Sequence, residues 1–296
     1  MEERRTLSAV LEAASSEHDG ITNARRVARL PAVGPTLISI WRARIALRHV
    51  GAEAQKAWRW WRDSREVTNY TYDLTPRNLE QLAAFLSQAS GAELARVQEL
   101  MRELDADEAL HAHVRRATLA SPDNMHADAF PRFGRRIGWY VLVRLFRPRL
   151  IVETGVDKGL GACVLCAALL RNAEEGAPGR YVGIDHNPQA GWLLKAPYTD
   201  VGQIVWGDSL AELTRLECID FLLHDSDHTP EFEAREFEVA ESRLSPGALV
   251  LSDNADVSDA LWKFALRTKR RYLYFAEEPR DHFYRGDGIG LTLPAQ

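Results

Sequence analysis

Three cysteines in 296 residues (Cys163, Cys166 and Cys218) are too few for a disulfide framework, so packing has to hold the fold. A basic excess is missing as well: 37 Lys and Arg stand against 42 Asp and Glu, a formal net charge of −5. Such a chain has no global attraction for phosphate backbones or anionic membranes, which argues against nucleic acid as a partner. No apolar run approaches the roughly 20 residues needed to cross a bilayer; the stretch Trp139 to Arg147 is broken by Arg144. The opening Met-Glu-Glu-Arg-Arg lacks the apolar segment of a signal peptide. These absences lead us to expect no membrane contact and a reducing, cytoplasmic setting. Internal repeats and low-complexity tracts are absent too.

What the chain does have is a hydrophobic content of 46%, enough for a real core. Up to residue 125, Ala, Leu, Arg and Glu dominate, which predicts helix after helix. Thr75-Pro76 is a helix start, with a capping hydroxyl ahead of a proline in the first turn; Leu79, Leu82, Ala83 and Leu86 then form one apolar face, and Gly91 is the stop. The aromatic cluster Trp58-Arg-Trp-Trp-Arg, within the arginine-rich stretch from Arg25 to Arg65, is expected to pack its rings and solvate its charges rather than to bind nucleic acid. The run Val67 to Asp73 could line a pocket or form a turn.

From Arg149 the pattern changes to short apolar runs alternating with amphipathic stretches, which predicts an α/β fold on a mostly parallel, Rossmann-like sheet. The runs begin at Leu150, Tyr181, Gln203, Ile219 and Ala248, and those at Tyr272 and Ile289 should close the chain as an antiparallel hairpin at the sheet edge. The expected organisation is a helical region over 1–125, serving as a cap or an oligomerisation element, and a ligand-binding sheet domain over 126–296.

In an open α/β sheet, ligands bind beyond the carboxyl ends of the strands. After the first run comes Glu153-Thr-Gly155-Val-Asp157-Lys-Gly159-Leu-Gly161, whose glycine spacing departs from the dinucleotide fingerprint and so disfavours a nicotinamide dehydrogenase. An acidic residue at the head of such a loop suits a cationic amino-acid moiety. Asp185 ends the second run, where a carboxylate can take both hydroxyls of a ribose, and Asp208-Ser209 follows the third, within reach of an adenine. In this order the motifs resemble class I S-adenosylmethionine-dependent methyltransferases, over roughly Arg149 to the C-terminus. The resemblance implies that Glu153, Gly155, Asp157, Gly159 and Gly161 surround the methionine part, Asp185 the ribose, and Asp208 and Ser209 the base. On this reading the cofactor loop belongs wholly to the later sheet.

Downstream, Ile219-Asp-Phe-Leu-Leu-His-Asp225 and Leu249-Val-Leu-Ser-Asp253-Asn254 each end an apolar run on a carboxylate, so Asp225, Asp253 and Asn254 should share the cofactor edge. Two carboxylates and an amide oxygen make a hard site that suits Mg²⁺ and not zinc. Asp227 rivals Asp225 as a ligand. The set resembles the metal-dependent O-methyltransferases of the catechol and macrolide-sugar types, which implies that Asp225, Asp253 and Asn254 hold the metal. His228 stands where the catechol enzymes carry a lysine, and that favours the sugar-modifying branch. As a neutral imidazole His228 can take the acceptor's proton, with Asp225 beside it as the second catalytic residue; alternatively His228 and Thr229 only start a helix. Cys163 and Cys166 form a lone C-x-x-C expected to be core packing. The expected activity is Mg-assisted O-methylation of a small hydroxylated molecule, a sugar or a phenol of natural-product type. Metal-free N- or C-methylation by the same fold and non-catalytic cofactor binding are the rivals.

Overall fold

The structure, a computed structural model, describes residues 34–66 and 71–294 in two units that divide between Arg62 and Asp63. Arg25 and its neighbours before residue 34, and Val67 to Tyr70 of the polar aromatic run, lie outside the described residues. The described residues of the first unit form one helix, α1 (Gly34–Asp63), which ends at the division. On it Trp58 and Trp61 lie one turn apart with ring centroids 5.0 Å from each other, and both stay exposed. Their rings meet one another rather than a core.

In the second unit the helix start at Thr75 forms as its chemistry requires. The Thr75 hydroxyl accepts from the Asn78 amide at 3.2 Å, Pro76 opens α2 (Pro76–Ser90), and Gly91 closes it at φ +74°. Helices α3 (Leu94–Asp105), α4 (Glu108–Ala120) and α5 (Arg136–Phe146) follow. The expected boundary near residue 125 falls on a 3-10 turn inside this unit (Pro122–His126), and the chain does not separate there. Leu82, Leu86, Val97, Leu100 and Leu104 from the helices enter the same apolar cluster as Trp139, Ile151 and Phe221, so helices and sheet share a core.

The sheet contains β1 (Leu150–Thr154), β2 (Arg180–Asp185), β3 (Gly202–Trp206), β4 (Ile219–His224), β5 (Leu244–Asp253), β6 (Arg271–Phe275) and β7 (Ile289–Leu293), in the spatial order β3-β2-β1-β4-β5-β7-β6. The first five are mutually parallel, while β7 pairs antiparallel with both β5 and β6, so the expected hairpin is present at the edge. Period-two alternation sorts the strand residues between two layers. Ile151, Phe221, Leu223, Leu249 and Leu251 face the cluster under α5 and α6 (Leu160–Glu174), while Val152, Val182, Leu222 and Val250 face Phe237 of α8 (Pro230–Glu241) and Phe264 of α9 (Ala260–Thr268). Cys163 and Cys166 are free thiols buried on α6, as core packing requires. Among the described residues no helix is long and apolar enough to cross a membrane.

The strand order reverses between β1 and β4, and a crevice opens at the carboxyl ends of those two strands. Gly155 turns the chain there at φ +80°, and a Cβ on it would come within 2.0 Å of the Asp225 carbonyl oxygen. That contact is with backbone and cannot be relieved by a side-chain rotation. Gly155→Ala should therefore lose about 3 kcal/mol or more of stability, from left-handed strain and overlap together; a urea midpoint within error of the parent would show that the turn tolerates a side chain.

Candidate functional site

The crevice is a cleft of about 570 Å³. Its walls carry Glu153, Gly155, Asp157, Gly161, Asp185, Asp208, Ser209, Asp225, His228 and Asn254, so most residues singled out from the sequence meet in one place. Gly159 and Asp253 are not on the walls: Gly159 sits at the start of α6 with φ +91°, and Asp253 is fully buried behind them.

At the β1 end, Gly161 has no room for a side chain, because a Cβ would lie 2.6 Å from a Glu153 carboxylate oxygen. Glu153 is itself buried and accepts from the Tyr181 hydroxyl. Burial pushes its carboxyl up to about 8, against the lowering effect of the Tyr181 hydrogen bond. A carboxyl raised this far is mostly protonated near neutrality and would ionise against a cation brought to the cleft floor. Asp185 braces the glycine loop: it accepts from the amides of Val156 (2.8 Å), Asp157 (3.2 Å) and Asn187 (2.8 Å). Asp208 caps the short helix α7 (Ser209–Leu213) by accepting from the Ala211 amide at 2.9 Å. Ser209, expected beside a base, instead donates its hydroxyl to Glu236.

Glu236 is a residue the sequence reading passed over. Buried on α8, it accepts from Thr154 Oγ1 at the end of β1 (2.7 Å), from Ser209, from His224 Nδ1 at the end of β4 (2.6 Å) and from Ser226 Oγ (3.1 Å). Burial pushes its carboxyl up, but these donors and the His224 ring overcome that and hold it below the ordinary range. Its neighbour Glu233 is buried one turn away and accepts from the Ser252 hydroxyl on β5. A signal was available: Glu233, Glu236, Phe237 and Ala240 fall on one helical face, so two acids share the buried stripe with two apolar residues. Acids placed there need donors.

At the acceptor end, Asp225 and His228 keep about a fifth of their side chains exposed, and His228 Nε2 lies 3.7 Å from Asp225 Oδ1. Burial and the adjacent Asp253 push the Asp225 carboxyl well above its usual range. Burial and the nearby His224 ring, edge-on at 5.3 Å between centroids, pull the His228 imidazole below its ordinary value. Asp227, the rival ligand, accepts from the Thr229 amide at 2.9 Å and so braces the start of α8; Thr229 makes no side-chain cap. The expected three-ligand set is not assembled as such. With both amide atoms satisfied, the Asn254 oxygen accepts from His228 Nε2 at 3.0 Å and its nitrogen donates to Asp253 (3.3 Å) and Asp287 (3.2 Å). Asn254 thus serves the imidazole, leaving Asp225 and Asp253 as the carboxylate pair. Among the described residues no three His, Cys, Asp or Glu side chains converge as a metal centre would require. Asp253 is held by Arg135, which the sequence reading also missed although an arginine ahead of a helix opposes the dipole and implies a nearby anion.

Residues 152–255 match a family described as a methyltransferase domain. Many solved structures resemble the chain, and three of them are methyltransferases of stated source. The O-methyltransferase TomG of Streptomyces achromogenes, solved with S-adenosylmethionine, is 22% identical over 64% of this chain and 91% of its own, with a TM-score of 0.45. A Podospora anserina methyltransferase bound to S-adenosylhomocysteine is 15% identical over 75% and 97%, with a TM-score of 0.47. The Bacillus cereus O-methyltransferase is 18% identical over 72% and 97%, with a TM-score of 0.42. No curated protein matches the chain in sequence.

Glu236→Gln retains the volume but replaces an acceptor by a donor that faces other donors. It should cost about 3 kcal/mol, the usual penalty for breaking a buried charged network. Chemical denaturation gives the value, and a loss below the scatter of surface substitutions would mean that Glu236 is not the anchor of the strand ends.

Proposed function

We propose, on the premise that residues 152–255 form a class I S-adenosylmethionine-dependent methyltransferase domain, that the protein O-methylates a small hydroxylated acceptor with the help of a divalent cation such as Mg²⁺. One observation carries the reading: Asp225, His228 and Asn254 stand on the same cleft as Glu153, Asp185 and the glycine loop. A sugar or phenolic hydroxyl suits a polar acceptor end of this kind.

S-adenosylmethionine supplies an electrophilic methyl on a sulfonium. The groups in the cleft suit its parts: the Glu153 carboxyl meets the cationic amino-acid end, Asp185 reaches the ribose with the acceptor sites left free by its backbone partners, and Asp208 lies towards the base. The two carboxylates would suit a hard cation, since Asp253 Oδ1 is buried with no hydrogen-bond partner and Asp225 is pushed up by burial and then by the charge of Asp253 beside it. Held there, a divalent ion would make an acceptor hydroxyl more acidic. The proton then goes to His228. With Nε2–H donated to Asn254 the lone pair falls on Nδ1, which is buried and has no hydrogen-bond partner, so Nδ1 would have to be turned towards an acceptor to take its proton. Bound there, S-adenosylmethionine would supply the methyl to the acceptor oxygen, with the neutral thioether as leaving group and His228 holding the acceptor's proton. Metal-free N- or C-methylation would leave the Asp225–Asp253 pair without a purpose.

Asp185→Asn keeps hydrogen-bond acceptance on one atom but removes the charge, so the calorimetric Kd for S-adenosylmethionine should rise about tenfold. An unchanged Kd takes Asp185 away from the ribose.

EDTA should abolish methyl transfer and Mg²⁺ should restore it. Asp225→Asn, which leaves Arg135 paired, should lose roughly 10² in kcat with little change in cofactor Kd. His228→Ala should fall by roughly 10² to 10⁴. In the parent, a base with a lowered pKa is active once deprotonated, so the rate should drop on the acid side of about 6.5 and stay flat above it. Full turnover by metal-stripped protein would leave a metal-free methyltransferase as the better reading.

A further inference from the structure

Across the glycine loop runs an ion pair that no step above uses. Lys158 stands between Asp157 and Gly159 on the wall of the cleft, with most of its side chain covered. Its ammonium donates to Glu66, whose side chain is fully buried, and to Thr71 Oγ1 at 3.3 Å. Glu66 is held in turn: its carboxylate accepts from the Thr71 amide at 2.9 Å and from the Thr71 hydroxyl, and its amide donates to Ser64 Oγ at 3.1 Å. The Ser64 hydroxyl and the Arg65 amide both donate to Asp128, each at 2.7 Å. The carboxylate is therefore fixed in place, and it fixes the lysine. A largely buried pair is weak evidence for added stability, because taking both charges out of water costs about what their attraction returns. What the pair does change is the charge on the cleft wall.

We infer that Glu66 is a specificity-determining residue of the cofactor cleft: acting through Lys158 from behind the wall, it keeps the glycine loop from disfavouring the charged methyl donor against its neutral product. The inference rests on the S-adenosylmethionine reading. The donor carries an ammonium, a carboxylate and a sulfonium, and so a single net positive charge; S-adenosylhomocysteine has lost the sulfonium and is neutral overall. The amino-acid, ribose and base groups are common to both, so contacts to those parts serve both molecules. A charge on the wall tells them apart. At an effective dielectric near 20, an uncancelled ammonium within about 10 Å would weaken binding of the charged molecule by roughly tenfold and leave the neutral one little affected. With Glu66 in place that handicap is removed, and the spent cofactor gains no advantage from the loop that holds it.

Calorimetry gives the Kd of S-adenosylmethionine and of S-adenosylhomocysteine for the full chain, for Glu66→Gln and Glu66→Ala, and for Glu66→Gln combined with Lys158→Met. The quantity read is the ratio of the first Kd to the second. Loosening of the loop moves both constants together and leaves the ratio alone, whereas a charge on the wall moves the ratio. Glu66→Gln should raise it at least about fivefold. Glu66→Ala should do the same, and it serves if the Gln amide crowds the Thr71 donors and prevents folding. Adding Lys158→Met should return the ratio to within about twofold of the parent, since the charge that Glu66 cancels is then gone. An unchanged ratio in a folded Glu66 variant, or a raised ratio that Lys158→Met does not reverse, overturns the role of Glu66 while the parent's own binding upholds the cofactor reading. A parent that binds neither molecule overturns both.

Discussion

The carboxylate of Glu236 is the constraint on which the cleft depends. It is an ion placed where water does not reach, and its cost is met only because Thr154, Ser209, His224 and Ser226 all donate to it. Those four donors sit at the ends of β1 and β4 and on the loop after β3, so one side chain sets the relative height of the strand ends that frame the cofactor and acceptor positions. Buried hydrogen-bonded networks of this kind restrict a core to one arrangement more than they add to stability. The hydrophobic layers on either face bring the strands together; Glu236 fixes how their ends are presented.

Electrostatics completes the frame. Glu153, Asp225 and Glu277 are buried acids whose carboxyls are all pushed above the ordinary range by burial, against the opposing charges of Arg135 and Arg136. Acids raised in this way tend to hold their protons while the cleft is empty and to ionise as a cation approaches, so a cationic ligand would gain its counter-charge on arrival. The His228 imidazole goes the other way: burial and the His224 ring lower it, against the pull of Asp253 and Glu233.

Most of the sheet was legible in the sequence because its signal is local. Each strand announces itself by β-branched and apolar residues, and Thr75-Pro76 and Gly91 delimit a helix by chemistry contained within a few residues. The strand-end carboxylates were legible for the same reason, since position at the end of a strand implies position at the edge. What was not legible was partnership. Arg135 and Asp253 are 118 residues apart, Tyr72 and Glu277 205, and only the packing of helices onto the sheet brings them together. Asn254 was placed at the correct edge, but which of its two amide atoms faces the carboxylates depends on His228 and Asp287. The polar loop near 125 reads as a linker in the sequence, while the apolar faces of α2 and α3 close over the same core as the strands.

Lys158 has one further consequence. It lies in the glycine loop, on the wall of the cleft, and its ammonium is held by the buried carboxylate of Glu66, which also accepts from the amide and hydroxyl of Thr71. The loop that would grip a positively charged ligand thus carries a positive charge of its own, cancelled from a segment 92 residues earlier in the chain. The sheet domain from Val152 to Ala255 is in this sense electrically incomplete. A fragment cut to that span would leave the Lys158 ammonium on the cleft wall without its buried counter-charge, so the earlier part of the chain helps to set the charge of the cleft.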